Sequence, residues 1–169
     1  PNVMVLNSMS KAFRVPGLRI GFVKAPPVLM KQLAPFALPW SVNSLAQTAV
    51  GWLMGHTELV EQFLSSTRTI IESEKVRIEE RIHQKTGIHC FPSATSFILM
   101  RLPEGLDAPT VWRHMADHRI LIRDCANFTG LSDAFIRVSL KTEAENRRAV
   151  DLLVRLCRSH AKPGCAHAR

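Results

Sequence analysis

Ser8, Lys11 and Arg19 lie close together in Ser8-Met9-Ser10-Lys11 and the following Pro16-Gly17-Leu18-Arg19-Ile20-Gly21. A lysine in a small-residue loop directly after an apolar run is placed for covalent chemistry. Partial desolvation and a neighbouring cation favour its neutral amine, which attacks a carbonyl carbon. Ser8 supplies a hydroxyl and Arg19 a fork of five N–H donors, a pairing suited to a phosphate dianion. Taken singly, Lys11 reads as an exposed loop lysine and Arg19 as a surface arginine. Taken at this spacing, they form a set: an amine that condenses with an aldehyde, beside ligands for a phosphate.

The elements that must position this set follow from apolar periodicity and breaker residues. Val3 to Leu6 predicts a buried strand, and the small polar residues Asn7 to Lys11 take the chain out of the sheet. Pro16-Gly17 marks a turn, and Leu18 to Val23 a second strand. Pro27 suits the first turn of a helix to about Leu33. After a break at Leu38 to Ser41, Ser41 is placed to cap a helix over Val42 to Met54, closed by Gly55. Thr57 and Glu58 open a longer helix to Lys85, with a solvated mixed-charge stretch from Glu72 to Arg81. Beyond the stop at Gly87, the pattern predicts a strand over Thr95 to Leu102 and a helix over Asp107 to His118. Strands over Arg119 to Arg123 and Ala134 to Leu140 flank a loop holding Gly130. Thr142 and Glu145 form a capping-box pattern that opens the last helix, to about Cys157. This order predicts an α/β protein with a composition shift near residue 56. The expected division is a first domain over 1–56, a second over 57–158 and a basic, disordered tail over 159–169.

Composition narrows the function classes. The 169 residues are 46% hydrophobic and 21% charged, a globular balance with length enough for a core. No apolar run approaches the ~20 residues of a membrane-spanning helix. The four cysteines are scattered and no signal-peptide pattern opens the chain, which argues against a disulfide framework and for a cytoplasmic protein. The formal charge of +8 owes much to Arg155, Arg158, Lys162 and Arg169, which follow Asp151 with no acid among them. With no basic block, aromatic ladder or nucleic-acid motif, a solvated basic tail accounts for it better than nucleic-acid binding. Cys157, His160, Cys165 and His167 are zinc-type ligands, but the Cys-x-His spacing is tight and no core would surround them. The expectation is no metal, with Cys157 facing the core from the last helix. A start at Pro1 and the absence of tyrosine are expected of a fragment or a processed chain.

The stretch from Ser8 to Gly21 reads S-x-S-K-x-F-x-x-P-G-L-R-x-G and resembles the fold-type-I pyridoxal-phosphate enzymes, specifically the class I/II aminotransferase family. The resemblance covers about residues 1–158 and implies the C-terminal portion of that fold: the end of the large cofactor-binding domain plus the small α/β domain. It implies that Lys11 is the Schiff-base lysine and that Ser8, Lys11 and Arg19 bind the cofactor, pyridoxal 5'-phosphate. Arg14 departs from the small or aliphatic residue usual there. Pro39-Trp40-Ser41-Val42-Asn43 is similar to the stretch following the lysine loop in histidinol-phosphate aminotransferases, which makes Asn43 a substrate-site candidate.

Farther on, Ile122-Arg123-Asp124-Cys125-Ala126-Asn127-Phe128-x-Gly130-Leu131 and Phe135-Ile136-Arg137-Val138-Ser139 are similar to threonine-phosphate decarboxylases of cobalamin biosynthesis. The resemblance implies that Arg123 binds the substrate phosphate and Arg137 its α-carboxylate. Two anionic groups on one substrate call for two separate cationic forks, and arginine suits both. A salt-bridged pair of strand-end arginines is the structural alternative. The expected reaction is decarboxylation of L-threonine O-3-phosphate to (R)-1-aminopropan-2-yl phosphate. Transamination of histidinol phosphate is the alternative, and a catalytically incomplete remnant the third reading. The choice between the first two is stereoelectronic: the Cα bond held perpendicular to the cofactor ring is the one that breaks. The family also implies a homodimer in which two subunits share each site. The aspartate, ring-stacking residue and tyrosine that complete the site in relatives lie upstream there and are not identified in this sequence.

Overall fold

The computed structural model describes residues 2–160, which form two compact units, one up to Ser66 and one from Thr67 on. In the first, β1 (Val5–Ser8) leads directly into the single turn α1 (Met9–Ala12), a 3-10 turn (Pro16–Leu18) and β2 (Gly21–Lys24). The strands pair antiparallel with Val5 opposite Lys24 and Ser8 opposite Gly21. The sequence led us to expect a buried first strand, and this expectation fails: all four β1 residues are exposed. A two-stranded ribbon by itself buries neither face. Next come α2 (Pro27–Leu33), a second 3-10 turn (Ala34–Phe36) and α3 (Ser44–Gly55). The cap of α3 is Asn43 rather than Ser41; the Asn43 side chain accepts from the Ala46 N–H at 2.8 Å. The long helix α4 (Thr57–Lys85) follows, and its residues from Thr67 belong to the second unit.

The second unit is a two-layer arrangement of sheet and helices. Its strands β3 (His89–Cys90), β4 (Phe97–Arg101), β5 (Arg123–Asp124) and β6 (Phe135–Ser139) form one antiparallel sheet in the order β3-β4-β6-β5. Helix α5 (Ala108–Asp117) lies between β4 and β5 in the chain, and α6 (Glu143–His160) follows β6. Alternation along the strands sorts the two sheet faces. Ile98 and Met100 of β4 and Ile136 and Val138 of β6 are buried in the core. They meet Val111 and Met115 of α5, Leu153 and Leu156 of α6, and Ile78 and Ile82 of α4 in one cluster. Cys157 joins that cluster, as its place on the last helix led us to expect.

Polar contacts fix the helices to this core. Glu74 and Asn146 are buried, and the Asn146 amide donates to Glu74 Oε2 at 2.7 Å. Asn146 also accepts from the Lys141 N–H at 2.8 Å and donates to the Lys141 carbonyl at 3.1 Å, so both its N–H donors and its oxygen are bonded. Arg81 of α4 pairs with Asp151 of α6. The capping box forms as expected: the Thr142 N–H donates to Glu145 Oε2 at 3.2 Å, and the Glu145 N–H returns to Thr142 Oγ1 at 3.4 Å.

Helix α5 ends where the sequence reading places it, and the strand after it is shorter than expected. Helix α5 closes on Arg119, which is left-handed at φ 60°, with Arg119 N–H to the Ala116 carbonyl at 2.8 Å and Ile120 N–H to the Met115 carbonyl at 2.9 Å. This is a Schellman stop without its usual glycine. The strand expected over Arg119 to Arg123 is accordingly reduced to Arg123–Asp124. No helix among the described residues is long and apolar enough to cross a membrane. The tail from residue 161, with Cys165 and His167, lies outside the described residues.

Candidate functional site

The first cluster of candidate residues sits at one end of the β1–β2 ribbon. Ser8 is both the last residue of β1 and the N-cap of α1, with extended backbone at φ −108° and ψ 117°. Lys11 is the third residue of α1 and is exposed. Residues three apart across a helix start share a face, so Ser8 and Lys11 are neighbours by construction. Ser8 pairs with Gly21 in the ribbon, two residues past Arg19, which brings Arg19 to the same end. The loop between is pinned from both sides. The Met9 N–H donates to the Ile20 carbonyl at 3.2 Å, the Val15 N–H to the Ser10 carbonyl at 3.0 Å, and the buried Ser10 hydroxyl to the Ile20 carbonyl at 3.4 Å.

Arg19 itself is left-handed at φ 50°, and its Nη1 donates to the Pro16 carbonyl at 3.4 Å. Among the described residues neither Lys11 nor Arg19 forms an ion pair. An amine, a hydroxyl and an exposed guanidinium with donors to spare are the donor set that an aldehyde bearing a phosphate requires. Asn43 is tied into the same loop. Its Nδ2 donates to the Leu18 carbonyl at 3.2 Å while its Oδ1 caps α3. Arg14, the departure from the family pattern, is exposed and left-handed at φ 55°. The neighbouring Phe13 stacks on Phe63 with ring centroids 6.0 Å apart.

Gly21 is the tightest point of this end. A Cβ there would stand 2.5 Å from the Asn7 carbonyl oxygen, a contact with backbone that no rotamer relieves. Gly21→Ala therefore forces the ribbon apart beside Ser8 and Arg19. The expected loss is about 1–3 kcal/mol, the usual cost of overpacking. A urea midpoint indistinguishable from the parent would contradict it.

The second cluster lies on the sheet of the other unit. Arg137 of β6 stands in register between Leu99 of β4 and Arg123 of β5. Residues directly opposite across antiparallel strands project to the same face, so the two guanidinium groups share one face, the one turned away from the buried Ile136 and Val138. Like charges placed directly opposite each other destabilise a sheet, and here neither is neutralised: among the described residues no carboxylate pairs with Arg123 or Arg137. Each rests on a ring instead. The Arg137 guanidinium carbon lies 4.5 Å from the Phe97 ring centroid, and that of Arg123 lies 5.3 Å from the Phe128 centroid. Arg137 Nε is buried without a hydrogen-bond partner.

The field of the two cations reaches the sheet edge. Burial pushes the Cys125 thiol up, against the pull of Arg137 and Arg123 and with a lesser push from Asp124. Phe97 and Phe128 stand under the two guanidinium groups, and the sequence alone does not mark them as site residues. Their apolar type gave no signal until the strand register placed a guanidinium over each.

The chain is similar to known proteins over most of its length. The family model described as aminotransferase class I and II matches residues 1–153. The histidinol-phosphate aminotransferase of Chlorobium luteolum is 31% identical over 158 residues, covering 94% of this chain and 42% of the relative. The threonine-phosphate decarboxylase of Salmonella typhimurium is 31% identical over 156 residues, covering 90% of this chain and 41% of the relative. Among solved structures, the L-threonine-O-3-phosphate decarboxylase from Porphyromonas gingivalis superposes with a TM-score of 0.81 at 31% identity, over 92% of this chain and 46% of that one. The chain thus spans less than half the length of these relatives.

Proposed function

We propose, for a chain that belongs to the aminotransferase class I and II family, a part in the pyridoxal-phosphate-dependent decarboxylation of L-threonine O-3-phosphate to (R)-1-aminopropan-2-yl phosphate. The observation that carries the reading is the register of Arg123 opposite Arg137: two unneutralised cations on one sheet face, matched to a small substrate bearing a phosphate and a carboxylate. A pair of arginines kept for sheet stability would be expected to carry carboxylate partners, and these stand on phenylalanine rings instead.

In this reading Lys11 Nζ is the amine that carries the cofactor at rest, and the Ser8 hydroxyl and the Arg19 guanidinium hold its phosphate. When bound, pyridoxal phosphate supplies an electron sink conjugated to the substrate nitrogen. Arg137 grips the substrate carboxylate with two parallel N–H donors and sets the angle of the Cα–carboxylate bond. Arg123 anchors the substrate phosphate, so the small molecule is held at both ends and its rotation about Cα is restricted. Once CO2 has left, Lys11 Nζ is the group that returns a proton to Cα. Asn43 acts on the lysine loop through its hold on the Leu18 carbonyl. The working assembly in this reading is a homodimer.

The test is a paired assay on the intact gene product with pyridoxal phosphate. CO2 release from L-threonine O-3-phosphate is the expected result, with no stoichiometric amino transfer to a 2-oxo acid. Amino transfer from histidinol phosphate without CO2 release would replace the decarboxylase reading by the aminotransferase one.

A further inference from the structure

The motif Arg123-Asp124-Cys125-Ala126-Asn127-Phe128-x-Gly130-Leu131 contains one residue with an assigned role, Arg123, and eight positions that the proposed chemistry leaves without one. The loop is built to return onto that arginine. Asp124 Oδ1 accepts from the Ala126 N–H at 2.8 Å, which starts a turn directly after β5. Cys125 is 2% exposed, and its N–H donates to the Phe135 carbonyl at 3.1 Å, so the turn is anchored to the sheet. The Phe128 N–H then donates to the Cys125 carbonyl at 3.0 Å and the Leu131 N–H to the Phe128 carbonyl at 3.0 Å. Gly130 takes the left-handed conformation at φ 84° that the second of these turns needs.

Two consecutive turns place two side chains on one guanidinium. Arg123 Nη2 donates to Asn127 Oδ1 at 3.1 Å, and the Phe128 ring lies beneath the Arg123 guanidinium at 5.3 Å. A guanidinium has five N–H donors in one plane. Asn127 takes one and restrains rotation in that plane, while the Phe128 ring, under the guanidinium carbon, restrains its position. The remaining edge, with most of its donors, is left for an anion. Both partners are uncharged, so neither offsets the cation that the anion must meet. Phe128 is itself 41% exposed, a cost that a bound ligand over this edge would relieve.

We propose that Asn127 and Phe128 are positioning residues that hold Arg123 in readiness for a phosphate monoester, and so determine selectivity for phosphorylated over unphosphorylated amino-acid substrates. The inference rests on the phosphate role of Arg123 proposed above. It adds that the selectivity belongs to the loop as well as to the arginine, because an untethered arginine side chain must give up rotamer freedom each time it binds.

The experiment compares L-threonine O-3-phosphate with L-threonine, which differ only in the phosphate, as ligands and substrates of the intact, cofactor-loaded protein. Asn127→Ala and Phe128→Ala are each expected to raise KM for the phosphorylated compound about tenfold. Affinity for L-threonine should change less than about twofold, and kcat should hold. Phe128→Tyr, which keeps the ring, should restore the parent value. Asn127→Asp is nearly isosteric and strengthens the bond to Arg123 as a charge-assisted one. A purely structural contact would tolerate or gain from it. A phosphate fork must lose, because the new carboxylate competes with the anion, and a loss at least as large as for Asn127→Ala is expected.

Arg123→Ala run in parallel separates the two claims. If it erases the preference for the phosphorylated compound while the Asn127 and Phe128 variants leave it intact, the positioning inference is overturned and the phosphate role stands. If Arg123→Ala leaves the preference unchanged, the phosphate role itself fails, and the positioning inference with it.

Discussion

Lys11→Ala should abolish the absorbance band near ~420 nm that lysine-bound pyridoxal phosphate gives, and with it all turnover. In the proposed reading the amine at this position would both carry the cofactor and move the substrate proton. Loss of the proton-transfer role alone costs about 10²–10⁴-fold, and loss of the covalent link adds to it. The fold should not notice. Lys11 is exposed and has no ion pair among the described residues, and alanine is the better helix former in α1, so stability should stay within about 0.5 kcal/mol. Lys11→Arg sharpens the test. It keeps the positive charge, yet a guanidinium that stays protonated cannot condense with an aldehyde, so it should be as inactive as the alanine variant. Borohydride reduction of the cofactor-loaded parent, followed by peptide mapping, should find the label on Lys11. A label on another lysine, or a band that survives Lys11→Ala, removes the assignment.

Arg137→Ala is the second large effect. Truncating one partner of a desolvated, hydrogen-bonded charge pair costs about 2–5 kcal/mol. A value in the middle of that range corresponds to roughly a 10²–10³-fold fall in kcat/KM, at 1.36 kcal/mol per decade. Unlike Arg123→Ala, this variant should harm phosphorylated and unphosphorylated amino acids alike, because both carry the α-carboxylate. Arg137→Lys should recover little, since a point charge does not reproduce two parallel N–H donors. Stability again separates site from scaffold. Removing Arg137 forfeits its cation–π contact with Phe97 but relieves the like-charge opposition to Arg123. Each is worth about 0.5–1 kcal/mol at a partly exposed site, so they offset and the unfolding midpoint should move by no more than a few degrees. A large drop in midpoint would make Arg137 a structural residue, and intact kcat/KM would refute its carboxylate role.

The sequence was most legible where local signals are self-sufficient. Pro27 opens α2 and Thr57 opens α4 at the places where helix-start chemistry puts them, and the Thr142–Glu145 box closes on itself without help from distant residues. It was least legible where distant residues decide. Ser41 and Asn43 are both good caps. Asn43 prevails, and its second hydrogen bond, to the Leu18 carbonyl, comes from a residue 25 positions away. The two-residue strand β3 exists only through its pairing with β4.

The candidate site divides the same way. Lys11, Ser8, Arg19, Arg123 and Arg137 stood out because their types do chemistry and the pattern around them resembles a known family. The roles of Phe97, Asn127 and Phe128 become visible only once β5 and β6 are paired and the loop between them has turned back.

The buried pairing of Glu74 with Asn146 joins residues 72 positions apart in the chain, and Arg81 reaches Asp151 across 70. During synthesis at about 5–20 residues per second, α4 leaves the ribosome roughly 4–14 seconds before the helix that completes its buried side. Through that interval the Glu74 carboxylate has only the Arg77 guanidinium of its own helix, 2.7 Å from Oε1, and Oε2 still lacks the Asn146 amide. The Asn146 amide supplies the donor that the second carboxylate oxygen needs once Glu74 is buried. Both oxygens of this buried acid are thus bonded only after the last helix of the second unit has been made.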